Sequence, residues 1–538
     1  MTADFQGIGT VSRDPPGRWP VYSLLIGGVS FLALALLTLR SVSPTVDTAF
    51  QVGISHAPSL QEFFHEVVAD NQAPAAQFVF WAAAQLGLPS VTAQRGVSLV
   101  LASLCYLAAI FAGTSIWRRT GVEQSQFAPT RAIILAAIMT ILAPGVFPVS
   151  TFVRYSSFIG PVWLFVFILV ERYRRGETTL AFAIGITTGL AFTVSYTAAL
   201  LAISVAISIL CSPAVWDQVA LRKLALGGVI GLIPLVAWLT LANTSHIHHV
   251  FSRIDVAQAH LTGRALVGKT YELLAWMFVG PASLPTFAGL LVCAAFCVTS
   301  LSLIWIAMTR TSMHLLPLLA FTVLVIPFLF ATSTATGWSM VGPAAVVAFV
   351  TGLGAGRVDR WVRTIGVSLI VSTAALASFP AANMLILRPS AFASRASQAA
   401  AVALERAKGG AALLVCMDWT TCLLTSGAVT PRSKSILDLD QLAGVPDKDL
   451  SPQVVLVFGD AGTSPASAAQ EVTRNRLDKL RYTRVEAVLI APYEAMMLRS
   501  RLGLNAQSAQ YLVERWERST ADPTIANRLP ATMPLVLP

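Results

Sequence analysis

The sequence predicts a polytopic α-helical membrane protein that ends in a small α/β domain. Three observations carry this prediction. Of the 538 residues, 55% are hydrophobic and 12% are charged, with a mean hydropathy of +0.68; a soluble chain carries about 25% charged residues. Apolar stretches long enough to cross a hydrocarbon core of about 30 Å recur through the first 383 residues. From residue 384 onward those stretches stop and charged residues become common. Together they exclude a soluble enzyme, a disordered chain and a disulfide-dense secreted domain. The net charge of +10 is of the kind that orients loops and meets lipid headgroups, so membrane lipids are expected partners and nucleic acid is not. The six cysteines are scattered and build no metal cage.

In chain order, the spans fall at 19–39, 96–116, 132–151, 155–171, 178–195, 196–212, 224–242, 284–309, 313–331, 338–355 and 364–383, about 11 in all. The first run is longer than the apolar part of a signal peptide, and no cleavage pattern precedes Asp47, so it is assigned as a span. Segments 73–88 and 271–282 are apolar but short, which suits interfacial or re-entrant helices. With the N-terminus in the cytoplasm, the inner loops carry 14 Arg and Lys against 6 in the outer loops before residue 384. The positive-inside rule therefore favours this orientation, and an odd span count puts the C-terminal part outside. The expected organisation is a transmembrane domain at 1–383, with long outer loops at 40–95 and 243–270, and a soluble extracytoplasmic domain at 384–538. Length and polarity on the outer side place the expected chemistry there.

In the C-terminal part, 411–417 and 454–458 are apolar runs of strand length, 485–490 is a third strand candidate, and 465–480 has the pattern of a helix. Strands alternating with helices predict an α/β domain. Gly459-Asp460-Ala461-Gly462 follows a strand, as both a phosphate loop and an ordinary turn would. Cys416 and Cys422 lie close in sequence; a disulfide and two reduced cysteines are both open readings in an outer compartment.

The first outer loop carries the most distinctive residues. It runs Ser43-Pro44-Thr45-Val46-Asp47-Thr48, then Ser59-Leu60-Gln61-Glu62-Phe63-Phe64, then Asp70-Asn71-Gln72-Ala73-Pro74. Gln77-Phe78-Val79-Phe80-Trp81 and Ala93-Gln94-Arg95-Gly96-Val97-Ser98 follow. Positions 60, 63, 64, 67 and 68 form an apolar stripe at helical spacing, suited to a helix on the membrane surface. Further on come Thr151-Phe152-Val153-Arg154-Tyr155-Ser156 and Thr193-Val194-Ser195-Tyr196-Thr197, each between two spans. Over about residues 19–212 this pattern resembles the GT-C membrane glycosyltransferases, the superfamily of protein O-mannosyltransferases and lipid A aminoarabinose transferases, and within it the RgtA/B/C/D-like bacterial branch. That family's loop often carries Asp-Glu, where Thr48 follows Asp47 here, and a His-x-Pro-Pro-like element, where Asn71-Gln72-Ala73-Pro74 stands here.

The resemblance implies a GT-C-like fold and an integral-membrane glycosyltransferase. Such an enzyme moves a hexose or pentose from a polyprenyl-phosphate donor to a lipid, polysaccharide or protein acceptor on the outer face. It also implies a bacterial inner membrane, with the C-terminal domain periplasmic. Asp47 takes the role of base, as the resemblance implies for the loop aspartate; its structural alternative is a carboxylate capping the next helix. Asp70 is the auxiliary base or acceptor-positioning group. Arg154, at an outer span end, suits a bidentate grip on phosphate as well as snorkelling to headgroups. Tyr155, Tyr196 and Asn71 are candidates for the donor headgroup, with interfacial anchoring the alternative for both tyrosines. In the second outer loop, His248, Arg253 and Lys269 form a cationic surface for phosphate or acidic glycan, or else a solvated loop. His246, His248 and His249 have no fixed ligand spacing, so no metal site is assigned; no cofactor is expected beyond the divalent cation that phosphate chemistry would accommodate. Two other functions fit the composition: a transporter or flippase of lipid-linked sugar, which internal repeats would favour, and a family member that binds the donor without transferring it.

Overall fold

The computed structural model of the chain describes residues 19–41, 46–68, 72–119, 129–211, 217–242, 263–279, 297–306, 340–356, 363–364, 366–368, 396–407, 413–416, 436–438, 442, 445–447, 450–458, 464–490, 511–518 and 535–536. The helical part begins with α1 (Trp19–Ser41), α2 (Val46–Ser55), α3 (Leu60–Val68), α4 (Pro74–Gln85) and α5 (Val91–Arg119). It continues with α6 (Pro129–Leu142), α7 (Phe147–Ser150), α8 (Ser156–Arg174), α9 (Ala181–Val194), α10 (Ala198–Leu210) and α11 (Gln218–Leu241). After these come α12 (Gly263–Val279), α13 (Cys297–Ile306) and α14 (Val341–Ala355).

Three described helical stretches, Val91–Ala112, Ser156–Arg174 and Gln218–Leu241, are long and apolar enough to cross a membrane. α6, α9, α10, α13 and α14 are apolar but shorter. On α1 and α11 the side chains of Leu25, Ile26, Val29, Leu32, Val229, Ile233 and Val236 are exposed. Apolar faces of this extent belong in lipid rather than water.

Several boundaries differ from the expected spans. The stretch 132–151 is not one span: α6 stops at Leu142, and a turn at Ala143–Val146 leads into α7. Pro144 has no N–H to donate and pushes Ala143 out of helical geometry. The outer stretch 40–95 is largely helical, holding α2, α3 and α4. The stretch 243–270 is helical from Gly263, so 271–279 continues α12 rather than starting a separate short helix. Span 313–331 and most of spans 284–309 and 364–383 lie outside the described residues.

One apolar cluster joins α5, α6, α8, α9, α10 and α14. Every residue of α14 is buried, which makes it a central post. α9 and α11 approach most closely, through Gly185 and Gly189 on one and Gly227 and Gly231 on the other. A Cβ at Gly189 would sit 2.6 Å from the Gly228 carbonyl oxygen and 2.8 Å from Gly231. Small residues at this spacing let two helix backbones touch, and dispersion across that contact holds them. Gly189→Val should therefore cost about 1–3 kcal/mol through overpacking and lower the thermal midpoint in detergent. Gly28→Ala, at a position with open space around it, should leave the midpoint unchanged.

The C-terminal part begins with α15 (Ala396–Ala407) and builds a six-stranded mixed sheet in the order β2-β1-β3-β5-β4-β6. Its strands are β1 (Leu413–Cys416), β2 (Ile436–Asp438), β3 (Gln453–Phe458), β4 (Tyr482–Ile490), β5 (Tyr511–Arg518) and β6 (Leu535–Val536), with α16 (Ser464–Lys479) between β3 and β4. β1 pairs in parallel with β2 and β3, whereas β5 runs antiparallel to both β3 and β4. Both faces are covered: Val455 and Val457 pack on α15, and Val454, Leu456 and Phe458 pack toward Leu477 of α16. That accounts for the continuous apolar runs of β1 and β3. The buried Cys416 ends β1, and Cys422 lies outside the described residues.

β5 hides a carboxylate. Glu514 is fully buried and accepts from Arg474 at 2.7 and 3.1 Å, from Arg484 at 3.1 Å and from the Trp516 indole at 3.0 Å. A charge taken out of water in this way is tolerable only with such partners. Glu514→Ala should destabilise the sheet by about 3 kcal/mol, the low end for a broken buried pair because both guanidiniums keep solvent access. Faster amide exchange in 453–458 and 511–518 is the expected readout.

Candidate functional site

The sequence-predicted site residues that are described gather at one end of the bundle. Successive helices run back and forth, so the C-terminal end of α1, the start of α5, the α7–α8 turn, the α9–α10 break and the C-terminal end of α11 share that end. The three short helices α2, α3 and α4 cover it. Phe63 and Val67 of α3 are buried with Ile54, Ala57 and Trp238, and the Phe63 ring lies 5.5 Å from that of Trp81. Half of the α3 stripe therefore packs on the protein, while Leu60 and Phe64 stay exposed as a membrane-surface helix requires.

Side chains of α4 and α5 clamp the C-terminal end of α2. The last carbonyls of a helix have no partner within it. Here Trp81 Nε1 and Gln85 Nε2 donate to the Ala57 carbonyl at 2.9 and 3.1 Å. Gln94 Nε2 donates to Ser55 Oγ at 2.5 Å, and Ser55 Oγ donates to the Val52 carbonyl at 2.7 Å. Asp47 lies in the first turn of the helix so held, where the helix dipole favours a negative charge.

The second clamp is Arg95, which is 2% exposed. Its Nε donates to the Thr151 carbonyl at 3.2 Å and its Nη2 to the Thr38 carbonyl at 3.3 Å. Ser98 Oγ donates to the Phe152 carbonyl at 2.6 Å, and Ser157 Oγ reaches the carbonyls of Phe152 at 2.7 Å and Val149 at 2.9 Å. The non-helical turn before α8 thereby has its carbonyls satisfied by side chains, the condition for irregular backbone at membrane depth. Arg154 and Tyr155 sit on that turn, both half-buried, with the guanidinium carbon 5.3 Å from the ring centroid. Tyr196, in the break between α9 and α10, packs against the Phe63 and Trp238 cluster.

The structure thus brings the helix of Asp47, the Arg154-Tyr155 turn and Tyr196 to one end. Asp70, Asn71, His248 and Arg253 lie outside the described residues. Lys269 is half-buried on α12, a correction to its expected place in a solvated loop: the chain is already helical six residues before it. Arg95, counted with the outer loop 40–95, is a buried cation on α5. Gln94, Arg95 and Ser98 were visible as a motif, but their roles depend on acceptors 39 to 57 positions away in the chain, a hydroxyl for Gln94 and carbonyls for Arg95 and Ser98. Among the described residues no group of three His, Cys, Asp or Glu is placed to hold a metal ion.

No family model and no curated protein matches the sequence. Solved structures do match. The crystal structure of ArnT from Cupriavidus metallidurans bound to undecaprenyl phosphate is 14% identical, with a TM-score of 0.57 over 93% of this chain and 98% of that one. The apo state of the same transferase gives 14% identity and a TM-score of 0.55 over 92% and 98%. The chain shares its fold with these ArnT structures. A 93% share leaves too few residues to omit the whole C-terminal part, so the likeness to ArnT is not confined to the bundle.

Removing the Arg95 clamp tests the frame without touching the residues proposed for chemistry. Arg95→Met should leave two carbonyls bare, at about 1–3 kcal/mol each. Amide exchange should rise in 149–155 and around Thr38, ahead of the rest of the bundle.

Proposed function

We propose that the protein is an integral-membrane glycosyltransferase that moves a sugar from a polyprenyl-phosphate donor to an acceptor hydroxyl on the outer face of the membrane. The observation that carries this reading is the likeness, over 93% of the chain, to ArnT bound to undecaprenyl phosphate, taken with the gathering of the Asp47 helix, Arg154 and Tyr196 at one end. A donor with a lipid tail and a charged headgroup needs such an end: its tail stays in the bilayer while its phosphate meets a cation at the bundle mouth.

The chemistry needs few parts. The bond from the anomeric carbon to the phosphate oxygen breaks, a bond to the acceptor oxygen forms, and the acceptor proton passes to a base. Asp47 is the proposed base, with Asp70 as auxiliary. Arg154 takes the charge that develops on the departing polyprenyl phosphate, and Tyr155, Tyr196 and Asn71 hydrogen-bond the headgroup. A carboxylate near the sugar also favours an oxocarbenium-like transition state. His248, Arg253 and Lys269 are proposed to extend the cationic rim. The acceptor is a lipid, polysaccharide or protein, and a divalent cation at the phosphate is compatible with this scheme.

The opposite end of α8 supports the orientation. Arg172, Arg174 and Arg175 cluster there, with Arg172 paired to Glu177 at 2.6 Å and Arg175 to Glu171 at 3.0 Å. Arg222 and Lys223 stand near the start of α11, at the same end. Basic residues concentrated at one end suit the cytoplasmic side, so the Asp47 end and the C-terminal domain are proposed to be periplasmic, in a bacterial inner membrane.

The test is transfer of radiolabelled sugar in membranes over a panel of polyprenyl-phosphate donors. Asp47→Asn should abolish transfer with the protein still folded, and Arg154→Ala should raise the donor KM by tenfold or more. Normal transfer by Asp47→Asn would remove that residue from the chemistry.

A further inference from the structure

At the end of the bundle opposite the candidate site, the basic residues of α8 already have acids beside them. Arg172 pairs with Glu177 at 2.6 Å and Arg175 with Glu171 at 3.0 Å, and the Glu171 charge also acts on Arg174. All three guanidiniums are half-buried. The first turns of α11 differ. Arg222 and Lys223 are exposed there, and neither meets a carboxylate among the described residues. The acid on the same segment is Asp217, which caps the helix by accepting from the Val219 N–H at 3.0 Å. Its charge acts on Tyr173 of α8.

Helical spacing places these charges. Each residue turns the helix by about 100°. Leu226, Val229, Ile233 and Val236 follow Arg222 at steps of four, three, four and three, and each is more than half exposed. Arg222 therefore stands in line with the apolar stripe that α11 turns outward. The opposite face, with Ala220, Gly227, Gly231 and Leu235, is buried against the protein. Asp217, five positions before Arg222, comes about 140° around the helix, on the side of α8. Lys223 flanks Arg222 at about 100°. The apolar window of α11 is only 17% buried, against 39% for α5 and 78% for α8. Two cations without a protein acid thus cap the most outward-facing of these three helices.

A phospholipid presents a phosphate above apolar chains, in the same order as Arg222 above its stripe. An arginine in this place keeps its stem on apolar surface and its guanidinium at headgroup level. Its planar fork matches two phosphate oxygens, and a neighbouring lysine adds a second charge. We propose that Arg222 and Lys223 form a binding site for an anionic phospholipid, whose acyl chains lie along the Leu226–Val236 face of α11. A zwitterionic lipid is disfavoured, because its own ammonium already neutralises its phosphate. The α8 arginines take no part, since their charge is met within the protein. The site is separate from the proposed transfer and requires only that α11 crosses the bilayer.

The experiment is native mass spectrometry of the full chain in detergent, titrated with dioleoylphosphatidylglycerol, dioleoylphosphatidylcholine and undecaprenyl phosphate. Phosphatidylglycerol should bind at least about tenfold more tightly than phosphatidylcholine. The double variant Arg222→Gln, Lys223→Gln should weaken phosphatidylglycerol about tenfold and remove the preference. Its thermal midpoint should stay that of wild type, because both side chains are exposed. Arg222→Lys, which keeps the charge, should retain the preference, and so should Lys479→Gln, an exposed charge of the C-terminal domain. Equal binding of the two phospholipids, or an unchanged preference in the double variant, would overturn the proposal. So would an equal loss of undecaprenyl phosphate in that variant, which would make the site one for any lipid phosphate.

Discussion

A buried guanidinium holds the working end of this molecule together. Arg95 bonds the last turn of α1 and the turn before α8 at the same time, from the first turn of α5. Three segments that are distant in the chain are thereby fixed at one point. A guanidinium suits this task because its donors lie in one rigid plane and it does not deprotonate under ordinary conditions. Carbonyl dipoles from two segments accept from it, next to the turn that carries Arg154. The Arg154-Tyr155 turn and, through the adjoining Gln94–Ser55 bond, the helix of Asp47 depend on this one contact.

Below that end, the bundle is built on close approach. α14 is buried along its whole length, and α9 meets α11 glycine to glycine. In lipid there is no hydrophobic force between helices, so contact distance and dispersion must do what water does for soluble cores. A tight shaft supports an open end in a reasonable division of labour. Short helices cover the end at which the candidate site residues gather, while the shaft beneath it is packed along the whole of α14.

The alternation of span and loop was legible in the sequence because apolar runs answer to one physical rule, the thickness of the bilayer. α5, α8 and α11 appear near where hydropathy places them. The break at Pro144-Gly145 was missed because four more apolar residues follow it, and a hydropathy window does not register a lost N–H. In the C-terminal domain, β1, β3 and α16 were legible from composition. β5 was not, since Tyr511–Arg518 alternates Glu and Arg with apolar residues, and its buried Glu514 is satisfied by α16 and β4 rather than by solvent. The helix carrying Asp47 was expected as loop for a similar reason: its C-terminal end is held by side chains of α4 and α5 that lie distant in the chain.

The sequence by itself determined that apolar runs of membrane-spanning length recur along the chain, and where they give way to a charged part with the pattern of an α/β domain. Each of these follows from composition summed over a window, and a sum is insensitive to partners. It also displayed the residues proposed for transfer as motifs. Only the tertiary structure decided that Arg95 is a clamp and Arg154 a half-buried cation, and that Glu514 is a buried hub while Arg222 stands on the outward face of α11. All four are charged residues whose meaning depends on what stands opposite, and that is set by contacts between segments tens of residues apart.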